Sequence, residues 1–108
     1  MRTSLTAAFC LAVAGPGLAW SQPASPQRPS RLGLCAACHG ETGQASVPGA
    51  PNLAGQSLAY LRDALQQYRD GRRDVPVMRA AIGPINDTEL DVLARWYSAQ
   101  SPQPQVTP

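Results

Sequence analysis

Two stretches of the chain repeat apolar residues at helical spacing, and the first lies near the middle. Its apolar positions recur at intervals of three and four residues, which places them on one face of an α-helix: Leu58, Leu61, Leu65 and Tyr68. Ser57 precedes the stretch as a candidate N-cap, and Gly71 follows it as a stop signal. The pattern therefore predicts a helix over 58–70.

The second stretch predicts a helix that begins after Asn86. Asn86 can serve as the N-cap, and Glu89 stands three residues later, as in a variant of the capping box. The pair Ser101-Pro102 ends the pattern. The apolar face consists of four residues flanked by Val92 and Trp96: Leu90, Leu93, Ala94 and Tyr97.

The rest of the chain shows no such period. A shorter helix is predicted from Pro29 through Cys38, because proline suits the first position of a helix. The ranges 40–56 and 72–84 contain glycine and proline and are predicted to be loops. No segment alternates as a strand does, so we expect an all-α fold of three to four short helices with long loops.

The N-terminus has the layout of a secretory signal peptide. Arg2 precedes an apolar run from Leu5 to Ala14, and small residues at 17, 19 and 21 offer two cleavage sites. The run is too short to span a bilayer, which takes about 20 residues, although an uncleaved anchor is the alternative. The chain thus divides into four predicted parts: a signal peptide (1–21), a flexible leader (22–29), a folded domain (30–100) and a flexible tail (101–108).

Size and charge narrow the possible functions. The chain has 108 residues, a net charge of +2 and 15% charged residues, which argues for one domain and against a nucleic-acid binder. A folded part of about 70 residues has a small core and often needs a disulfide, a metal or a cofactor.

The residues that can carry chemistry are concentrated in one motif, Cys35-Ala36-Ala37-Cys38-His39, which is the attachment pattern of c-type haem. Two thiols add across the two vinyl groups of haem, and the adjacent histidine binds the iron. Three alternatives are weaker. A redox dithiol is expected in a βαβ context, and a structural zinc site needs four ligands. A plain disulfide would leave the small core unsupported.

The second axial ligand follows by elimination. His39 is the only histidine, and Met78 is the only methionine besides Met1, so Met78 is the candidate. It lies in the predicted loop 72–84, from which a thioether could reach across the haem. Ligation by His and Met raises the reduction potential. The alternative is an ordinary methionine that fills a gap in the core.

These motifs resemble those of small class I c-type cytochromes of bacterial periplasms, over about residues 34–99. Five features carry the resemblance: Cys35 to Gly40, Pro51 to Gln56, Tyr60-Leu61 with Tyr68 to Arg72, Met78, and the closing helix that ends in Trp96-Tyr97. The resemblance implies a class I cytochrome c fold around one covalent haem c. It also implies that the Pro51 carbonyl binds the second ring nitrogen of His39 and that Leu53 packs on the porphyrin.

One departure from the family concerns the first helix. The family usually has a longer helix there, with a glycine or an aromatic residue before the cysteines, whereas this chain has Arg28, Pro29 and Arg31. The contact between this helix and the aromatic residues of the last helix is therefore open. Arg72 and Arg73 are candidates for pairing with a haem propionate, although such charges more often form a solvated surface.

The resemblance implies a periplasmic one-electron carrier that exchanges electrons with redox protein partners, without nucleic acid and without stable membrane insertion. It implies no enzymatic activity, because both axial positions of the iron would be filled. Two alternatives remain. An open-site haem protein, either a gas sensor or peroxidase-like, would need Met78 off the iron, and a fixed haem subunit of a larger redox complex would differ only in its partner.

Overall fold

Four α-helices and no β-strand are present in the computed structural model, which describes residues 9–103. In chain order they are α1 (Leu32–His39), α2 (Leu58–Asp70), α3 (Pro76–Ile82) and α4 (Asp87–Ser98). The all-α prediction is confirmed for this part of the chain. The first eight residues of the predicted signal peptide and the last five of the predicted tail lie outside the described residues.

Helix α2 begins and ends as the sequence predicts, and α4 begins as predicted but ends at Ser98, before the predicted stop at Ser101-Pro102. The Ser57 hydroxyl accepts a hydrogen bond from the Tyr60 N–H at 3.2 Å, and Gly71 ends α2 with a φ of 82°. At α4, the Asn86 side chain accepts from the Glu89 N–H at 2.9 Å, and the Glu89 carboxylate accepts from the Asn86 N–H at 3.3 Å. This reciprocal pair is a capping box, which satisfies two backbone donors that the helix itself leaves free.

The loop predicted over 72–84 is wrong in its second half, because Pro76–Ile82 forms α3. Pro76 is at the start of this helix, where a backbone N–H would have no hydrogen-bond partner within the helix, so its absence in proline costs nothing. Met78 therefore lies on a helix and not in an irregular loop. The helix has seven residues and a single buried one, Ile82, so it is too short to show an apolar period.

The first helix begins later than predicted. Helix α1 begins at Leu32, whereas the sequence predicted that it begins at Pro29. The Pro29 carbonyl instead accepts a hydrogen bond from the Leu32 N–H at 3.2 Å, which closes a turn before the helix. The helix ends at His39, one residue beyond the prediction. The range 40–56 has neither helix nor strand, so the loop predicted there is confirmed.

The core is small and lies mainly between α2 and α4. The buried apolar residues of the described range are Leu32, Leu61, Ala64, Ile82, Ile85, Leu90, Leu93, Ala94 and Tyr97. Partly buried apolar residues of α1, the loop after it, α2, α3 and α4 pack against this cluster. Every residue from 9 to 28 is exposed, and in the described chain no helix has the length and apolar character needed to cross a membrane.

Ion pairs on the surface connect α4 to its neighbours. Asp91 accepts hydrogen bonds from both Arg62 on α2 and Arg95 one turn further along α4. These two guanidinium groups hold the pKa of Asp91 at about 2, below its ordinary value of 3.8. Because all three side chains are partly exposed, water and salt screen the pairs and limit their contribution to stability.

Candidate functional site

The chain's one histidine, His39, is held in a fixed orientation. It is the last residue of α1 and is 6% exposed. Its Nδ1 lies 2.9 Å from the carbonyl oxygen of Pro51, which is the contact that the resemblance implied. A carbonyl can only accept, so Nδ1 carries the hydrogen and donates it. In that tautomer the lone pair is on Nε2, which is therefore the nitrogen that can bind a metal.

The two cysteines of the motif lie one turn apart on α1, immediately before His39. Cys35 and Cys38 are half-buried free thiols, and Cys35 packs against the core. Burial raises the pKa of the Cys35 thiol, whereas the thiols of redox dithiols have lowered pKa values. Among the described residues, no group of three or more His, Cys, Asp or Glu side chains could hold a metal ion.

The loop after α1 folds back on itself and so brings Pro51 to His39. The Gly43 carbonyl accepts hydrogen bonds from the N–H groups of Leu53 at 2.8 Å and Ala54 at 3.2 Å. Gly43 has a φ of +83°, and a Cβ there would lie 2.4 Å from the Ala54 nitrogen. Only glycine allows this close approach of two backbone segments. The glycine and proline content of this range predicted a loop but did not reveal this contact.

Two aromatic side chains of α4 hold the start of the same loop. The Tyr97 hydroxyl donates to the Gly40 carbonyl at 2.9 Å, and the Trp96 indole N–H donates to the Glu41 carbonyl at 2.7 Å. Burial raises the pKa of the Tyr97 phenol, so the hydroxyl stays a donor. The sequence left open whether the first helix contacts these aromatic residues, and the contact is made instead by Gly40 and Glu41, just after α1. More than 50 residues separate the partners along the chain, so no local pattern revealed the contact.

Leu53 and Met78 are both partly buried and pack against the core cluster that Cys35 also contacts. They come from the loop after α1 and from α3, so three separate segments, α1 included, contribute side chains that pack against the core. Of the predicted site residues, the structure joins His39 directly to Pro51.

The two arginines considered for propionate binding have partners within the chain. Arg72 donates to the Asp70 carboxylate at 2.8 Å. Arg73 lies against the rings of Tyr60 and Tyr68, with 5.5 Å between its guanidinium carbon and each ring centroid. Pairing of either arginine with a propionate stays a prediction.

The residues of this region fit a covalently bound haem. The region supplies two thiols with the required spacing, a histidine whose Nε2 is available, and partly buried apolar side chains such as Leu53 that pack against a small core. A flat apolar macrocycle would complete that core. No buried polar side-chain atom of the described residues lacks a hydrogen-bond partner.

Comparisons with known proteins agree with this reading. The sequence matches the cytochrome c family model over residues 33–98. It is 38% identical over 73 residues to cytochrome c-554(548) of Halomonas halodenitrificans, which covers 65% of this chain and 88% of that protein. It is 36% identical over 111 residues to the thiosulfate dehydrogenase electron acceptor of Thiomonas intermedia, with 100% of this chain and 51% of that protein covered.

A solved structure is also similar. The cytochrome c4 structure of Acidithiobacillus ferrooxidans has a TM-score of 0.55 and 31% sequence identity, over 60% of this chain and 37% of that chain. This chain thus spans about half of the Thiomonas protein and less than half of the solved structure.

Proposed function

The chain belongs to the cytochrome c family, and we propose that it is a periplasmic one-electron carrier whose iron is held by His39 and Met78. Its class I cytochrome c fold is confirmed by the family match and by the similar cytochrome c4 structure. Electron transfer by a covalently attached haem c is the activity of this family. The haem iron supplies the redox chemistry by alternating between the ferric and ferrous states.

One observation carries the histidine assignment. The Pro51 carbonyl occupies Nδ1 of His39, so only Nε2 can face an iron atom. Cys35 and Cys38 precede His39 on the same helix and are the residues proposed to form thioether bonds with the haem vinyl groups. The Pro51 hydrogen bond fixes the tautomer and the plane of the ring, which keeps the ligand in place through each redox cycle.

Met78 is the proposed second axial ligand. It is partly buried against the same core as Cys35 and Leu53, and it lies on α3, which packs against α2. A neutral, soft thioether stabilises ferrous iron and so raises the reduction potential. With both axial positions filled, the iron would have no place for a substrate, and we propose that the chain carries electrons without catalysing a reaction.

Export is proposed from the N-terminal segment. The apolar side chains of Phe9, Leu11, Val13, Leu18 and Trp20 are all more than 80% exposed and contribute nothing to the core. An apolar run of this kind after Arg2 is typical of a signal peptide. We expect the mature protein from a periplasmic fraction to begin at Trp20 or Gln22, which N-terminal sequencing measures. An N-terminus at Met1 would contradict cleavage.

The proposed partners are redox proteins that give and take one electron. The Thiomonas relative is named as the electron acceptor of thiosulfate dehydrogenase, which supports a dehydrogenase as the class of donor. A fixed subunit of a redox complex differs from a free carrier in size, so gel filtration of native periplasm separates them. Elution near the mass of the single chain supports the carrier.

The ferric visible and near-infrared spectrum tests the ligand set. Holoprotein from a host that exports proteins and attaches haem should show the weak long-wavelength methionine–iron band, and Met78→Ala should lose it and bind carbon monoxide when reduced. Val77→Ala is the matched control, because Val77 is the preceding residue of α3 and is 69% exposed. Wild-type protein that is high-spin and binds carbon monoxide avidly would favour the open-site alternative, and colourless protein would exclude haem altogether.

A further inference from the structure

The connection between α2 and α3 determines where α3 begins, and it is short. It runs from Gly71 to Val75, and Met78 follows three residues later. Its backbone is tied down at Arg73, whose N–H donates to the Gln67 carbonyl at 3.0 Å and whose carbonyl accepts from the Val75 N–H at 3.1 Å. The Val75 carbonyl then accepts from the Arg79 N–H at 3.0 Å, which begins the hydrogen bonding of α3.

The side chain of Arg73 fastens this connection to α2. Its guanidinium carbon lies 5.5 Å from the ring centroids of both Tyr60 and Tyr68, so the cation contacts two aromatic rings. Its Nε donates to the Gln67 side-chain oxygen at 2.9 Å, and one Nη is 3.5 Å from the Tyr60 hydroxyl. All three partners belong to α2, whereas Arg73 belongs to the connection.

This arrangement differs from that of the other arginines. Six arginines of the described residues form ion pairs with carboxylates, whereas Arg73 and Arg79 form none there, and of the described arginines Arg73 alone lies over aromatic rings. The planar guanidinium suits a site made of two rings and an amide, where a lysine ammonium could not stack in the same way. Tyr68 and Met78 both pack against the core cluster, so Arg73 contacts a ring that shares this cluster with Met78.

We propose that Arg73 is a positioning residue for Met78: its contacts with Tyr60, Tyr68 and Gln67 hold α3 so that the thioether stays on the iron. This inference rests on the proposed ligation by Met78. A thioether binds ferric iron weakly, so a small loosening of the segment that carries it raises the fraction of protein in which the bond is broken. An added ligand such as imidazole binds that fraction, and its apparent affinity rises in proportion.

The test measures imidazole binding to ferric holoprotein by loss of the methionine–iron band. Arg73→Gln removes the charge and the stacking, and imidazole should bind roughly tenfold more tightly, given the strength of cation–π contacts. Arg73→Lys keeps the charge without the planar fork and should fall between Arg73→Gln and wild type. Arg62→Gln is the matched control, because Arg62 pairs with Asp91 on α4 and lies outside the aromatic site. It should bind imidazole as wild type does.

A second pair of variants tests the aromatic side. Tyr60 is 46% exposed, so its replacement leaves the core intact. Tyr60→Phe keeps the ring and should leave imidazole binding unchanged, whereas Tyr60→Leu removes the ring and should strengthen binding. If Arg73→Gln yields no holoprotein, this pair decides the question.

A purely structural role for Arg73 predicts a different result. In that case, Arg73→Gln would lower the guanidinium chloride midpoint of unfolding, measured by the loss of helicity, while its imidazole affinity in buffer stayed at the wild-type value. The proposal would then be wrong. The same holds if Tyr60→Leu and Tyr60→Phe bind imidazole equally. Wild-type protein without the methionine–iron band would instead refute ligation by Met78, so the two failures are distinguishable.

Discussion

The hydrogen bond from Tyr97 to the loop after His39 offers a single-atom test of how this fold is held together. Tyr97 is 3% exposed, and its hydroxyl donates to the Gly40 carbonyl at 2.9 Å. Tyr97→Phe removes that donor without changing the packing of the ring. The carbonyl then keeps only a longer bond, from the Gly43 N–H at 3.4 Å.

The expected loss of stability follows from these contacts. A typical intramolecular hydrogen bond contributes about 0.5–1.5 kcal/mol, and a buried acceptor left without its partner costs about 1–3 kcal/mol. Because the Gly40 carbonyl keeps a weak second donor, we expect a loss of about 1–2 kcal/mol in the free energy of unfolding. For a domain of this size that corresponds to a decrease in Tm of about 5–15 °C.

The assay is thermal and guanidinium chloride unfolding of the oxidised holoprotein, followed by far-ultraviolet circular dichroism. Tyr60→Phe is the matched control, because Tyr60 is 46% exposed and its hydroxyl makes only a 3.5 Å contact. The control should stay within about 0.5 kcal/mol of wild type. If Tyr97→Phe loses no more stability than the control does, the hydroxyl does not fasten the loop to α4 and the reasoning is wrong.

Two further predictions concern the surface and the loop. The pKa of Asp91 is about 2 in the folded protein and lies below its ordinary value of 3.8. The stability that its two arginine partners confer is therefore present above pH 4 and is lost as the pH falls from about 4 to 2. Asp91→Asn should therefore flatten the decline of the guanidinium chloride midpoint across that window, while Asp74→Asn, at an exposed position, should not. Gly43→Ala places a Cβ 2.4 Å from a backbone nitrogen and should lower the free energy of unfolding by about 2–4 kcal/mol in the same assay. Gly49→Ala, with an equally positive φ of +85° but open space around it, should lose only about 1 kcal/mol, and equal losses would contradict a steric cause.

The elements that could be predicted from the sequence are those whose signals are local. The bounds of α2 follow from Ser57, Gly71 and an apolar face with a clear period, and the start of α4 follows from Asn86 and Glu89. Each of these signals acts within four residues of the helix end it determines. The haem-attachment motif is equally local, because the chemistry of attachment itself fixes its spacing.

The features that were missed depend on contacts between distant residues. Helix α3 has only seven residues, too few to show a period, and its first residue, Pro76, is of a type that suits turns as well as helix starts. The hydrogen bonds of Trp96 and Tyr97 cross more than 50 residues, and the rings around Arg73 come from another helix. The sequence shows which residues could form such contacts but not which of them contact each other.

The position of the site within the core indicates why folding and haem attachment should be coupled. Cys35, Leu53 and Met78 are not among the fully buried residues but pack against them from α1, the following loop and α3. Each therefore keeps part of its surface outside the core, where the proposed haem would pack. Without the haem these segments have little apolar surface to bury against, and a core this small supplies little net stability after the entropy of folding is paid. The residues proposed to bind the haem are thus also the ones whose packing it would complete, and the proposed Met78 ligand would depend on the chain around it for its position.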